Sequence, residues 1–177
     1  MSWGKFIVDG AERDFTHLDP FVMDVTPKAA GAPTYKVLVS FSHHAFTREI
    51  LPADDPARYF GPPNDIRCFC EERHGLSARL PDLIKKASGG RAFFPSRSHA
   101  RQRNFIVVEW ENGKPPYLVP FNLAKATTSG VDATMFILSA HPRPDLPPRS
   151  RLDAISFATL VSKVVRGERV LRPPYRP

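Results

Sequence analysis

The stretch FIVVEWENGKPPYLVPFNL, residues 105–123, decides the fold. Phe105 to Glu111 is rich in β-branched and aromatic residues, and Tyr117, Val119, Phe121 and Leu123 alternate on the return. Between them Asn112-Gly113 supplies the positive φ that a tight reversal needs, so the segment reads as a β-hairpin. Pro120 has no N–H to give to a ladder, which predicts an edge or a bulge beside it.

Outward from the hairpin the pattern continues. Thr127-Thr128-Ser129-Gly130 is a turn, and Met135 to Ala140 is the most apolar strand, hence central. On the other side Arg91 to Phe94 is a short strand. Before it, Glu71 to Ser88 is helical, with Leu76, Leu80, Leu83, Ile84 and Ala87 on one stripe. Pro81 clashes with the carbonyl four residues back, so two helical pieces are expected, with Pro81 in the first turn of the second. Gly89-Gly90 ends it. Tyr35, Val37, Val39 and Phe41 share one face of a strand, and Ile66 to Cys70 is another short one. Residues 1–33 read as irregular apart from short strands at Lys5–Val8, closed by an Asp9-Gly10 turn, and at Val22–Val25. Ala154 to Val165 fits strand and helix equally well. The sum is a single α+β domain over residues 1–168, an antiparallel meander packed on the 71–88 helical region. A basic, proline-rich tail, 169–177, is expected to be mobile.

The chain has 177 residues, a net charge of +7 and a pI near 9.7. A basic domain of this size points to a polyanion, most commonly nucleic acid. No apolar run approaches the roughly 20 residues that a membrane helix needs. Cys68 and Cys70 stand too close to bridge each other, and Met1 to Lys5 lacks the pattern of a secretion signal, so a cytoplasmic location is expected.

Four groups of residues carry potential chemistry. His43-His44 follows the strand that ends near Ser42; histidine is the usual proton-transfer residue near neutral pH. Neighbours on a strand point to opposite faces, so one of the two is expected to face any given site. Cys68, Cys70 and His74 could share a face, but a structural zinc site wants a second cysteine pair; the thiols read as small buried hydrophobes, and no metal or other cofactor is expected. Arg97, His99, Arg101 and Arg103 form a basic segment without an acid, suited with Arg143 to phosphate oxygens. Arg73, Arg79, Arg149 and Arg151 are candidates for the same face. Finally, Ser139-Ala140-His141 closes the central strand. No Gly-x-Ser-x-Gly elbow surrounds Ser139, and the chain holds no HExxH, phosphate-cradling glycine loop or dinucleotide fingerprint. Asp54-Asp55 reads as solvated, which argues against a metal-dependent nuclease.

The segments Phe41–Thr47, Arg67–Arg73 and Leu138–Ala140 resemble those of a group of small bacterial proteins carried by prophages and genomic islands. The order of a helix and then an antiparallel meander with a basic, histidine-bearing edge is similar to the RelE/BrnT-like ribonuclease toxins. Ile137-Leu138-Ser139-Ala140-His141 resembles their strand-end Ile-Ser-Ala-Arg, with His141 in place of the arginine. The toxin resemblance implies metal-independent cleavage of RNA by attack of a ribose 2′-oxygen, and a protein antitoxin as partner. His43 or His141 is then expected to move the proton, and Arg73, Arg101 and Arg103 to hold the phosphate. The alternative is a mobile-element accessory protein that binds nucleic acid or a protein without catalysis.

Overall fold

The computed structural model describes residues 2–95 and 104–174. In chain order its strands and helices are β1 (Lys5–Val8), β2 (Ala11–Asp14), β3 (Phe21–Val25), β4 (Tyr35–Phe41), β5 (Thr47–Arg48), β6 (Tyr59–Phe60), β7 (Arg67–Phe69), α1 (Glu71–Ser77), α2 (Leu80–Ala87), β8 (Arg91–Phe93), β9 (Phe105–Glu109), β10 (Tyr117–Lys125), β11 (Ala133–Ile137), β12 (His141–Pro142), β13 (Ala154–Ser156) and α3 (Phe157–Val165). The α+β class holds. The main sheet runs β13-β8-β9-β10-β11-β4-β3, with β12 pairing β10 beyond the end of β11.

The hairpin forms, with β9 and β10 antiparallel and Tyr117 opposite Glu109, but β9 stops two residues short of Glu111 and the connection spans residues 110–116, with a positive φ at Gly113 (76°) and not at Asn112. The ladder of β10 shifts by one residue after Pro120. Phe121 faces Ile137 but Leu118 faces His141, so two residues of β10 oppose Leu138, Ser139 and Ala140. This is the expected bulge. Pro120 has no N–H, yet its carbonyl accepts from Leu138 N at 2.9 Å.

One pairing departs from the expected meander. β11 lies parallel to β4, with Ile137 beside Phe41. Both strands present alternate residues to one core: Val37, Val39, Met135 and Ile137 are fully buried, as are Val119 and Phe121 of β10. Each such side chain contributes about 1.5–3 kcal/mol on leaving water. Leu80, Leu83 and Ile84 of α2 cover this face, and so do Phe157, Leu160 and Val161 of α3. The 154–165 segment therefore uses both of its readings: three residues extend the sheet, and the apolar i, i+3, i+4 spacing that follows turns inward as a helix. The opposite face holds a smaller cluster of Phe93, Ile106, Val108 and Leu118. The 71–88 region breaks into two helices as predicted, with Pro81 in the first turn of α2.

The described parts of both terminal segments carry more structure than the sequence pattern suggests. Residues 2–33 contain three strands. The β1–β2 hairpin turns through Asp9 (φ 54°) and Gly10 (φ 70°), the two positive values of a type I′ turn. Phe15 and Leu18 are fully buried. Asp19 accepts from Ser2 Oγ and from the Trp3 amide, which pins the N-terminal segment. In the tail Val170 packs on the core, and the Arg172 guanidinium donates to the Pro95 carbonyl and lies 5.3 Å from the centre of the Phe94 ring. Residues 169–174 are thus docked by packing and a charged hydrogen bond.

Candidate functional site

Parallel neighbours end at the same side of a sheet, and the chain must leave from both ends. β4 and β11 do so at Phe41 and Ile137, tied by Ser42 N to the Ile137 carbonyl at 2.9 Å. The segments that follow diverge and leave a cleft of about 580 Å³. Phe41, Ser42, His43 and His44 line it from β4, and Phe136 and Leu138 from β11. Trp3 and Asp65 close it from the N-terminal segment and the loop before β7.

His43 and His44 do not sit on strand geometry. His43–Ala45 is a single 3₁₀ turn, capped by Ser42, whose Oγ accepts from His44 N at 3.2 Å. Successive side chains on such a turn are about 120° apart rather than opposed. The expectation that only one histidine faces a site is therefore corrected, because both reach Asp65. His44 Nε2 lies 2.8 Å from Asp65 Oδ2. His43 Nε2 donates to the Asp65 main-chain oxygen at 3.0 Å and stands 3.5 Å from Oδ2. The rings meet edge to face at 4.7 Å. Burial pushes the His43 imidazole below its ordinary pKa. The His44 hydrogen bond pulls the Asp65 carboxyl below the usual carboxylate range, so it stays ionised.

The surroundings hold this arrangement. Thr47 Oγ1 donates to the His43 carbonyl at 2.8 Å and accepts from Arg67 Nε at 3.2 Å. Arg67 also acts electrostatically on His43 and Asp65. Gly61 has φ +122°, and a Cβ there would stand 2.4 Å from the Asp65 carbonyl oxygen and 2.8 Å from His43 Nε2. Only glycine lets this loop close on the imidazole.

The other candidates lie elsewhere. Arg73 Nη1 donates to the main-chain oxygens of Thr47 at 2.7 Å and His44 at 3.4 Å, so it braces the histidine turn from behind. His141 is on β12, where burial and the charges of Arg73 and Arg143 lower its pKa. Its Nδ1 is buried without a partner, and so is the Tyr117 hydroxyl, whose pKa burial pushes up to about 12. Among the described residues no hydrogen bond, ion pair or ring contact joins His43 to Arg73 or His141. Arg143 is paired with Asp145 at 2.6 Å, Arg79 lies 4.3 Å over the Tyr117 ring, and Arg149 sits over Trp110. Arg97, His99, Arg101 and Arg103 fall outside the described residues. Cys68 is buried and both thiols are free; His74 turns away to the Asp14 carbonyl at 3.0 Å. Asp54 is not solvated as expected but paired with Arg48.

Reading from the residues missed His44 as an equal partner, and it missed Asp65, Trp3, Phe136 and Arg67. The Asp65 signal was weak: one of three acids in a proline-rich loop, with nothing in its spacing to link it to a histidine 21 residues earlier.

Fold and cleft together define an α+β protein with a histidine–carboxylate site at the ends of a parallel strand pair. The chain matches the model of the YjaZ family over residues 5–165 and belongs to that family. No curated protein and no solved structure gives a significant match.

Proposed function

We propose that the protein is a ribonuclease of the toxin type that works by acid–base chemistry, with the proton transfers centred on the pair His43 and His44 rather than on His43 or His141 alone. The observation that carries this is the pair of imidazoles held on one carboxylate in an open cleft. With its Nε2–H on the Asp65 carbonyl, neutral His43 has its lone pair on Nδ1 and takes the proton of the ribose 2′-hydroxyl. That oxygen attacks the adjacent phosphorus. His44, held on Asp65 Oδ2, is the acid that protonates the leaving 5′-oxygen. The products are a 2′,3′-cyclic phosphate and a free 5′-hydroxyl.

Three features support an RNA substrate. The net charge is +7. Trp3 and the exposed Phe136 offer faces on which bases stack. Arg67 is a cation that acts on His43 and Asp65 at the cleft, with Arg143 and the 97–103 basic segment as candidate contacts along the strand. Among the described residues no helix is long and apolar enough to cross a membrane; a cytoplasmic location and an acidic antitoxin partner belong to this proposal.

The test is cleavage of total RNA by the purified protein in EDTA, with His43→Ala and His44→Ala beside it. Wild-type cleavage leaving cyclic phosphate ends, reduced about 100- to 10,000-fold in either variant, is expected. The second reading, a binding module without catalysis, is favoured by Arg73 being turned to main-chain carbonyls instead of a phosphate. Salt-sensitive RNA binding by a wild type that leaves RNA intact would select it.

A further inference from the structure

We propose that His43, His44 and Asp65 also form a binding site for one divalent transition-metal ion of the zinc class. The inference goes beyond the ribonuclease reading and rests on the three donors alone.

One ring nitrogen of each histidine and a carboxylate oxygen of Asp65 all lie within 4.8 Å of one another. Asp65 Oδ2 is 3.5 Å from His43 Nε2 and 2.8 Å from His44 Nε2. A tetrahedral zinc ion, with bonds of about 2.0–2.2 Å to nitrogen and oxygen, sets its ligand atoms about 3.3 Å apart. The two measured separations bracket that spacing. Asp65 Oδ2 therefore stands close to ligand spacing from both Nε2 atoms.

The donor chemistry agrees. Two imidazoles and one carboxylate suit a borderline ion such as Zn²⁺ or Co²⁺ better than Mg²⁺ or Ca²⁺, which prefer all-oxygen shells. The donors are also held in advance. The 3₁₀ turn fixes the histidines relative to each other, Thr47 and Arg73 anchor its main chain, and the Gly61 approach sets the Asp65 loop against His43. Three protein ligands leave a fourth position, open to the cleft, for water or a ligand donor atom.

Binding has a defined proton consequence. The His43 Nε2–H bond to the Asp65 carbonyl is given up, and the imidazole proton moves to Nδ1 as Nε2 takes the metal. Any imidazolium present releases its proton to solvent. Both histidines then serve as ligands, so the metal-bound form and the acid–base form exclude each other.

The experiment titrates the metal-free full-length protein with Co²⁺ and Zn²⁺, following the visible bands of four-coordinate cobalt and the heat of zinc binding. One ion per chain is expected, with affinity reduced at least about 100-fold in His44→Ala and in Asp65→Asn. Both side chains are partly exposed, so the variants keep the fold, and unfolding curves check that. Cys70→Ser and His74→Ala are expected to bind like wild type. Absence of stoichiometric binding overturns the proposal. So does binding that survives in His44→Ala and Asp65→Asn, or that is lost in Cys70→Ser, which would place the ion on the thiols.

Discussion

The two histidine regions start from neighbouring strands and end in opposite states. Past β4, His43 and His44 meet a loop carboxylate at the wall of an open cleft. Past β11, His141 is surrounded by Arg73 and Arg143, with its Nδ1 and the nearby Tyr117 hydroxyl unpaired. Burial lowers the pKa of both His43 and His141. What differs is the contact: Asp65 hydrogen-bonds the first pair, with Arg67 opposing it, whereas Arg73 and Arg143 act on His141 against Asp145. A histidine with a carboxylate beside it can hold either a proton or a metal. A histidine beside arginines is held neutral and can do neither readily. Arg73 separates the two regions, because it donates to the His44 carbonyl on one side and repels a proton on His141 on the other.

The comparison is open to attack in several ways, and activity gives the largest effect. On the ribonuclease reading, His44→Ala loses about 100-fold or more in cleavage rate, while His141→Ala stays within a few-fold of wild type. The reverse ranking in a gel-based cleavage assay moves the chemistry to β12. Next comes Gly61→Ala. Its positive φ and the blocked approach to Asp65 cost about 2 kcal/mol in urea unfolding, and RNA cleavage falls with it. An unchanged unfolding midpoint would mean that the loop does not need to touch His43. Smaller still is Tyr117→Phe, which removes a buried hydroxyl that has no partner. Its stability is expected to equal wild type or exceed it by up to about 1 kcal/mol. A loss of 2 kcal/mol or more in urea melts would reveal a hydrogen bond in the second region and erase the contrast.

The smallest effect is the pH dependence. His17, His43 and His141 all have folded pKa values below the ordinary 6.5. The unfolded chain therefore binds more protons as pH falls through 6.5. The stability these groups contribute is fully present above 6.5 and is lost as pH drops through their folded values. His141→Gln should flatten the slope of stability against pH in that window. An unchanged slope assigns it to the other two residues.

Much of the fold was legible from local pattern. Asn112-Gly113, the alternation of Tyr35 to Phe41 and the position of Pro81 each specify an element within a few residues of themselves. Even the bulge opposite Pro120 followed from one missing N–H. The segment 154–165 was ambiguous because three extended residues and a helical stripe abut with no turn between them. The site was half legible. His43 was visible as a titratable residue at a strand end; its true partners were not, because Asp65 and Trp3 reach it through a proline-rich loop and an N-terminal segment that carry no periodicity.

Local sequence thus determined the longer strands of the main sheet, the split helix, the basic charge and the presence of histidines at two strand ends. It did so because hydrophobic period, turn chemistry and proline sterics act over a few residues. Tertiary structure alone decided that β4 and β11 run parallel and open a cleft at their shared end. It also decided that the 3₁₀ turn aims both His43 and His44 at Asp65, and that His141 is left among arginines. Those outcomes depend on contacts between residues far apart in the chain, which no local pattern encodes.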